Sequence, residues 1–405
     1  MTQQRFGIWF IGAWGGVSTT AAVGLAGLQA GLANETGLVT GLARFQKLEL
    51  AEWPQFTIGG HEIRETDYAR EAELLHGQSG VFSRQLLDAA APILKRFDRN
   101  IRPGTLINVG PTIEQFAGPR THAHSGETPR AAITRISADL EEFQTGNNLD
   151  HVIVVNLSST EPPPDDELGS LSWGELSAQL ESADASPVPA SSIYAIAAMQ
   201  LGCSYVNFTP SVGTNLKALE ELALKQGTLH VGRDGKTGET LLKSVLAPMF
   251  AARNLQVKSW VGHNIFGNMD GKVLDDPVNK ANKVHSKDHL LTEILGYKPQ
   301  SLVSIEYIES MGDWKTAWDH IHFDGFLDTR MTMQFTWQGC DSLLAAPLVL
   351  DLVRLTEREW REGRSGVMTH LASFFKSPMG ADVPAEFGRQ WQMLDDWIES
   401  TSQQG

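Results

Sequence analysis

Three stretches of this 405-residue chain hold residue types at spacings that could do chemistry. The first is Gly-Ala-Trp-Gly-Gly-Val-Ser-Thr-Thr, in which Gly12, Gly15 and Gly16 precede Ser18, Thr19 and Thr20. Glycines lack a Cβ, so backbone amides there can approach a pyrophosphate, and a helix starting at Ser18 adds unpaired N–H groups and a positive dipole end. The spacing is not G-x-G-x-x-G, and an ordinary tight strand-to-helix turn reads equally well. The second stretch, Gly-Arg-Asp-Gly-Lys-Thr-Gly-Glu-Thr from Gly232 to Thr240, runs into the helical segment LLKSVLAPMF. There the amides of Thr237 to Thr240 would face an anion, or the loop would simply cap its helix. The third runs from Gly262 to Lys287 and holds Lys272, Lys280, Lys283 and Lys287 with Asn264, Asn268, Asp270, Asp275 and Asp276. Lys283 and Lys287, four apart, share one face of a helix. A solvated surface helix would read similarly, but the asparagines and glycines upstream suit a loop around an anionic, polyhydroxylated ligand. In that loop ammonium groups polarise ligand oxygens, and Asp270 accepts from hydroxyls or binds a cation.

These residues need elements to position them. Residues 6–12, FGIWFIG, are an apolar run too short for a helix and read as a buried strand. Strand, glycine turn and the Ala-rich AAVGLAGLQAGLA follow in order. Further strands are expected at residues 105–109 (TLINV), 151–157 (HVIVVNL) and 205–208, with helices at 127–143 and 192–200 between them, an alternation that predicts a mostly parallel α/β sheet. A ribose-binding acid is expected ~20 residues beyond such a turn. Glu35 lies about there in a polar loop, and Glu62 lies further along at a strand end. Residues 161–190, with PPPDDE and SPVPA, read as a surface excursion. From about Thr240 to Phe335 the character changes to a helix followed by VKSWVG, LVSIEYI and MTMQFTW, which suggests an α+β unit with an antiparallel sheet. An amphipathic helix, CDSLLAAPLVLDLVRLTEREWREG, comes after it.

Lys and Arg total 33 against 48 Asp and Glu, a formal charge of -15 with no long basic block, which argues against a nucleic-acid partner. Cys203 and Cys340 cannot build a disulfide framework, and MTQQRFGIWF has no basic, apolar and cleavage regions in series, so a reduced, cytoplasmic protein is expected. No apolar run approaches the ~18 residues of a membrane span.

Taken in chain order, GRDGKTGETLLKSVL, GHNIFGNMDGKVL with its following lysines, MGDWK and GCDSLLAAPLVLDL resemble the myo-inositol-1-phosphate synthase family over most of the chain. The family pattern reads approximately G-D-D-x-K-S-G-Q-T, N-H-L-G-N-N-D-G, R-S-K-E-x-S-K, V-G-D-S-K and D-S-L-L-A-x-P-L. Matches in this order are harder to obtain by chance than any single glycine loop. The resemblance implies an α/β fold: an NAD-binding Rossmann-type parallel sheet built from residues 1–240 and 340–405, with an inserted α+β catalytic and oligomerisation domain at 241–339. It implies NAD-dependent cyclisation of D-glucose 6-phosphate to myo-inositol 1-phosphate, through oxidation at carbon 5, enolisation at carbon 6, attack on carbon 1 and reduction. It also implies a homotetramer.

Position by position, the resemblance assigns Lys283 and Lys287 to the substrate oxygens and makes Lys315 a third active-site lysine. Lys376, in SFFKSP, becomes the fourth, near the carbon 5 oxygen, where it would carry a proton. Asp341 would hold a lysine or a substrate hydroxyl, and Asp270 joins the catalytic set. Gly12, Gly15, Gly16, Val17, Ser18, Thr19, Glu62, Thr160, Asn268 and Asp270 form the implied cofactor set, and Thr237, Gly238, Glu239 and Thr240 the implied phosphate site. Asp270 and nearby acids leave a divalent cation open, although no ligand spacing demands one. Lys272 and Lys280 match no family lysine and are left to the surface.

Departures from the pattern are specific. The first loop is GAWGGVSTT where the family has G-x-G-G-N-N-G-S-T, Arg233 replaces the first aspartate of G-D-D, and His263-Asn264 are in reverse order. Met269 replaces an asparagine, and Val284-His285 stand where Glu precedes a hydrophobic residue. A relative cyclising another sugar phosphate and a sugar-phosphate dehydrogenase therefore stand as alternatives, with an NAD-responsive binding protein as a third class.

Overall fold

The computed structural model describes residues 4–181, 187–269, 271 and 290–403. Among them the strands are, in chain order, β1 (Phe6–Ile11), β2 (Phe56–Glu62), β3 (Ile101–Pro103), β4 (His151–Asn156), β5 (Ser204–Asn207), β6 (Leu229–Gly232), β7 (Gln256–Phe266), β8 (Gln300–Tyr307), β9 (Trp314–Asp324), β10 (Arg330–Cys340) and β11 (Gly366–Val367). Seven of them make one parallel sheet in the order β11-β6-β5-β4-β1-β2-β3. Its middle strands, FGIWFI and HVIVVN, are buried along their whole length, as strands covered on both faces must be. Strand order reverses between β1 and β4, and a crevice opens there beyond the carboxyl ends.

Helices cover both faces. On one, Gly16–Gln29 presents Ala21, Ala22, Val23 and Ala26, all fully buried, to Ala345, Ala346 and Val349 of the helix Asp341–Arg361. On the other, Pro129–Gly146 and Ala190–Gln200 share a core with the opposite side of β1 and β4. The chain therefore returns to the large sheet after residue 340, and β11 pairs with β6.

The smaller sheet has the order β10-β9-β7-β8. It is mixed rather than antiparallel as expected, because β7 and β8 run parallel from Ser259↔Gln300 to Phe266↔Tyr307. Its central strand β9 was not anticipated. WKTAWDHIHFD mixes two aspartates and two histidines into the alternation, yet Ala317, Asp319, Ile321 and Phe323 face inward and Trp318 outward. The helix Gly238–Ala252 packs Ala247 and Phe250 on the inner face, against Trp260 and Ile321.

Residues 105–109 are a second correction: they form a turn, not a strand. Pairing with β2 stops at Pro103, the Thr105 amide donates to the Tyr194 hydroxyl at 2.9 Å, and Asn108 sits at φ 54°. The excursion at 161–190 contains a helix, Trp173–Glu181, anchored by buried Leu176 and Leu180.

Candidate active site

At the crevice, Gly12 turns the chain with φ 79°, and a Cβ there would lie 3.0 Å from Ser158 Cα. The amides of Gly12 and Ala13 donate to the His61 carbonyl at 2.9 and 3.1 Å, which ties the turn to β2. The helix Gly16–Gln29 then begins with no side-chain cap and no acidic residue in its first turn. Its first amides are thus without a side-chain acceptor, the donor set a pyrophosphate needs. The hydroxyls of Ser18 and Thr19 are spent inside the turn, donating to the carbonyls of Gly12 (2.7 Å) and Trp14 (3.3 Å). Toward an anion Ser18 therefore has only its amide to offer, and the Thr19 amide is itself turned to the Gly15 carbonyl at 2.8 Å. A Cβ on Gly16 would lie 2.7 Å from Ser342 Oγ and require that hydroxyl to rotate, and Val17 is half-buried beside it.

Of the two candidate ribose acids, the fold favours Glu62. It ends β2, is buried, and accepts from the amides of Trp14 (2.8 Å), Ile63 (2.9 Å) and Arg64 (3.1 Å). Glu35 instead accepts from the Trp53 indole at 3.1 Å. Thr160, buried just beyond β4, lines a cleft of about 990 Å³ together with Glu161, Arg233, Asp234 and Lys376. An uncapped helix start after β1 and an acid at the end of β2 are the features by which a doubly wound sheet holds a dinucleotide.

A second, smaller pocket is lined by Thr237, Glu239, Thr240, Asn264, Phe266, Ile305, Lys315 and Lys376. Its floor is the start of the helix Gly238–Ala252, whose N-cap Thr237 makes no side-chain capping bond and whose Gly238 takes φ 58°. Lys315 is the second residue of β9, on its inward side, with Nζ 3.7 Å from Asp341 Oδ1 and 4.9 Å from the centre of the Phe266 ring. Lys376 arrives from the returning C-terminal segment. Its amide and ammonium both bind Asp234, donating to the backbone oxygen at 2.6 Å and to Oδ1 at 2.8 Å. Because Lys376 lines both cavities, it stands where the cleft meets the pocket.

Supporting groups fix these side chains. Asp313, two residues before Lys315, is buried, and one of its oxygens accepts from the Cys340 thiol (2.9 Å) and the Ser342 amide (2.8 Å). Its other oxygen accepts from Asn268 Nδ2 at 2.9 Å. Burial raises the Asp313 carboxyl above the usual aspartate value against the pull of those donors. One carboxylate thereby ties Asn268, the start of the Asp341 helix and the Lys315 strand together. Glu239 turns inward to Lys243, 2.5 Å away and fully buried, and accepts from Asn264 Nδ2 at 2.6 Å. Only its backbone is left to meet a phosphate. Lys236 donates to Gln390 beneath the loop, and burial pushes it down to about 7. Arg233 donates to the Pro210 carbonyl at 2.7 Å.

The fold brings Thr237, Gly238, Glu239, Thr240, Lys315, Lys376 and Asp341 to one place, and Gly12, Gly15, Gly16 and Glu62 to another. Asp270, Lys283 and Lys287 lie outside the described residues, as do Lys272 and Lys280. Sequence reasoning missed Asp313, Asp234 as the partner of Lys376, and Lys243. Asp313 had a signal, its place in MGDWK; a lysine inside LLKSVLAPMF carried none. The reversed pair His263-Asn264 is resolved by strand alternation, with Asn264 inward at the pocket and His263 outward, stacked on Trp318. Among the described residues no three His, Cys, Asp or Glu side chains converge as a metal site would require. No helix among them is long and apolar enough to cross a membrane.

The parallel sheet, its uncapped turn and the adjoining lysine pocket define an NAD-binding protein of the Rossmann type carrying a second site for an anionic substrate. A family model for NAD-binding proteins described as myo-inositol-1-phosphate synthase matches residues 6–399, and the chain belongs to that family. Inositol-3-phosphate synthase 1 of Bacteroides thetaiotaomicron is 31% identical over 98% of this chain and 95% of its own length. The inositol-3-phosphate synthase of Spirodela polyrhiza is 29% identical over 66% of this chain, a match that spans 57% of the plant protein. Among solved structures, inositol-3-phosphate synthase of Caenorhabditis elegans superposes with a TM-score of 0.88 at 23% identity, covering 99% of this chain and 86% of that one. A myo-inositol-1-phosphate synthase-related protein of Thermotoga maritima gives 0.79 at 22% identity, covering 98% and 99%. At those identities the two structures speak for the fold.

Proposed function

We propose that the protein is an inositol-3-phosphate synthase, cyclising D-glucose 6-phosphate to myo-inositol 1-phosphate (1D-myo-inositol 3-phosphate). The observation that carries this reading is the meeting of two cavities at Lys376, with an uncapped helix start on the floor of the smaller one. NAD, when bound, would supply reversible hydride transfer at carbon 5, so that oxidation and reduction balance within one turnover. The amides of Gly16 and Val17 would meet its pyrophosphate, while Gly12 and Gly15, whose own amides donate to the His61 and Gly12 carbonyls, shape the turn; Glu62 would take the ribose, and Thr160 and Asn268 would line its path. The amides of Thr237, Gly238, Glu239 and Thr240, with the threonine hydroxyls, hold the substrate phosphate. Lys376 is oriented by the N–H it donates to Asp234; as the amine it takes the proton of the carbon 5 hydroxyl during oxidation, and the ammonium so formed returns that proton on reduction. Lys315, oriented by Asp341, faces the same pocket and stabilises negative charge as it develops on oxygen. Lys283, Lys287 and Asp270 complete the set in the carry-over from the family pattern, Asp270 also being the acid that would share a divalent cation with the phosphate.

The proposed domains are 1–240 with 340–405 for the cofactor and 241–339 for catalysis and assembly, in a cytoplasmic homotetramer. The assembly reading is supported by the outer face of the small sheet, where Trp318 is 38% and Leu302 52% exposed. Light scattering of the purified protein tests it. The activity is tested by incubation with glucose 6-phosphate and NAD, followed by mass spectrometry and NMR of the product. A phosphorylated cyclitol without net NADH is expected. NADH accumulating in step with substrate, and no cyclitol, would make the protein a sugar-phosphate dehydrogenase instead.

A further inference from the structure

Lys315 lies at the end of its strand. Register with β7 ends at Thr316↔Ile265, and beyond it, among the described residues, Lys315 and Trp314 pair with β10 alone, opposite Gly339 and Cys340. A strand end held on one side frays unless something else ties it down. Here the tie comes from the large-sheet part of the chain, at Ser79, the last residue of the helix Tyr68–Ser79. The Trp314 indole N–H donates to the Ser79 carbonyl at 2.8 Å, and the Asp313 amide donates to the Ser79 hydroxyl at 3.2 Å. That carbonyl is one of the last four of its helix, which lack an intrahelical donor, and the indole supplies one. Gly312, at φ 54°, lets the chain come close, since a Cβ there would lie 3.3 Å from Ser79 Oγ. Trp314 stands where the V-G-D-S-K pattern has serine, whose short side chain has no such reach.

The other end of the same helix is tied to the glycine turn. Asp98 Oδ1 accepts from the Trp14 indole at 2.8 Å and from the Tyr68 amide at 3.1 Å. Between the two ties run twelve helical residues, a rod of about 18 Å. We infer that Trp314 and Ser79 are positioning residues, which hold Lys315 in the frame of the dinucleotide turn so that carbon 5 of a bound substrate meets the cofactor in one fixed geometry. The inference rests on the proposed dinucleotide and substrate sites. Neither side chain lines the cleft or the pocket, so both act through their neighbours. The Asp313 carbonyl accepts from the Asp341 amide at 2.8 Å, so the lysine and the acid that orients it both follow the clamp. Misplacement by about 1 Å can cost about 100-fold in rate, so a loosened clamp shows in turnover before it shows in binding.

Trp314→Phe keeps a ring and removes the N–H, and Ser79→Ala removes the hydroxyl while keeping the carbonyl. Trp314 is 38% exposed, so Trp314→Phe is expected to melt close to wild type. In cyclitol formation from glucose 6-phosphate, kcat should fall about 10-fold or more in Trp314→Phe and about threefold or more in Ser79→Ala. KM for glucose 6-phosphate and the calorimetric affinity for NAD should stay within about threefold of wild type. Deuterium at carbon 5 should slow each variant at least as much as it slows wild type, because hydride transfer is the step impaired. An unchanged kcat in Trp314→Phe, a loss that falls on KM or on NAD affinity instead, or a smaller isotope effect overturns the inference. If melting curves show Trp314→Phe unfolded, Ser79→Ala decides by the same readouts. A wild type that binds no NAD and forms no cyclitol would sink the reading of the two sites; an active wild type matched by both variants would sink the clamp alone.

Discussion

Lys376 and Asp313 show how single residues are placed by distant parts of the chain. Lys376 follows SFF in a segment with no helical or strand periodicity, and its partner Asp234 lies 142 residues earlier. Removing the ammonium in Lys376→Met should lower kcat by about 10²- to 10⁴-fold, the range for a lost proton carrier, while NAD affinity measured by calorimetry stays within about threefold. A variant that keeps its turnover would take Lys376 out of the chemistry. Asp313 works at one remove, since it touches Asn268, Cys340 and the Ser342 amide. Asp313→Asn points an amide N–H₂ at groups that are themselves donors. A stability loss of about 1–3 kcal/mol in urea unfolding is expected, because buried donors lose their acceptor. A displaced Lys315 should reduce kcat in the same variant.

At the level of elements, the glycine turn is held by its own backbone, and that makes it sensitive to one methyl group. Gly12→Ala puts a Cβ on a residue at φ 79°, 3.0 Å from Ser158 Cα and 3.2 Å from the Leu157 carbonyl, all backbone atoms. The left-handed conformation alone costs an alanine about 1–2 kcal/mol. The turn therefore shifts, and NAD binding should weaken at least about tenfold by titration while the far-ultraviolet circular dichroism is retained. Undiminished NAD affinity would show that the first amides of the helix Gly16–Gln29 are not the pyrophosphate site. The small sheet shows a different element-scale effect. Strict alternation along β9 sends Lys315 and Asp319 inward and Trp318 outward, so one strand serves both the pocket and the open face.

For the molecule as a whole, buried titratable groups away from the pocket set the response to pH. Burial lowers His151 to about 3, His230 to about 4 and His370 to about 3. Each is neutral in the folded protein, whereas in the unfolded chain it takes up a proton below about 6.5. The unfolded state then binds more protons, so this contribution to stability is complete above pH 6.5 and is lost as pH falls toward 4. Glu161 runs the other way. Burial lifts it to about 7 against the pull of Ser191, so its contribution is complete below the ordinary glutamate value and lost as pH rises through 7. Urea midpoints between pH 5 and 8 should therefore move up with pH less steeply in His151→Phe than in wild type, and more steeply in Glu161→Gln. Parallel curves for all three proteins would contradict the assignment of these groups.

The sequence by itself determined much of the fold and the two loops proposed to meet anions, because these are local. An all-apolar strand, a glycine turn and a small-residue helix follow one another within 29 residues, and GRDGKTGET lies directly against the helix it starts. The ordered matches that carry the family resemblance were legible for the same reason. Tertiary structure decided the rest. Glu62 over Glu35 as the acid beside the turn depends on β2 pairing with β1, which no local pattern states. The mixed small sheet depends on β7 and β8 lying side by side across a long connection. The joining of Lys315, Lys376, Asp341 and Thr237 at one pocket requires the chain to leave the large sheet, build the small one and return. Hydrophobic periodicity reports which face of an element is buried, but not which distant element buries it, and it is that pairing which turns scattered lysines and aspartates into a site.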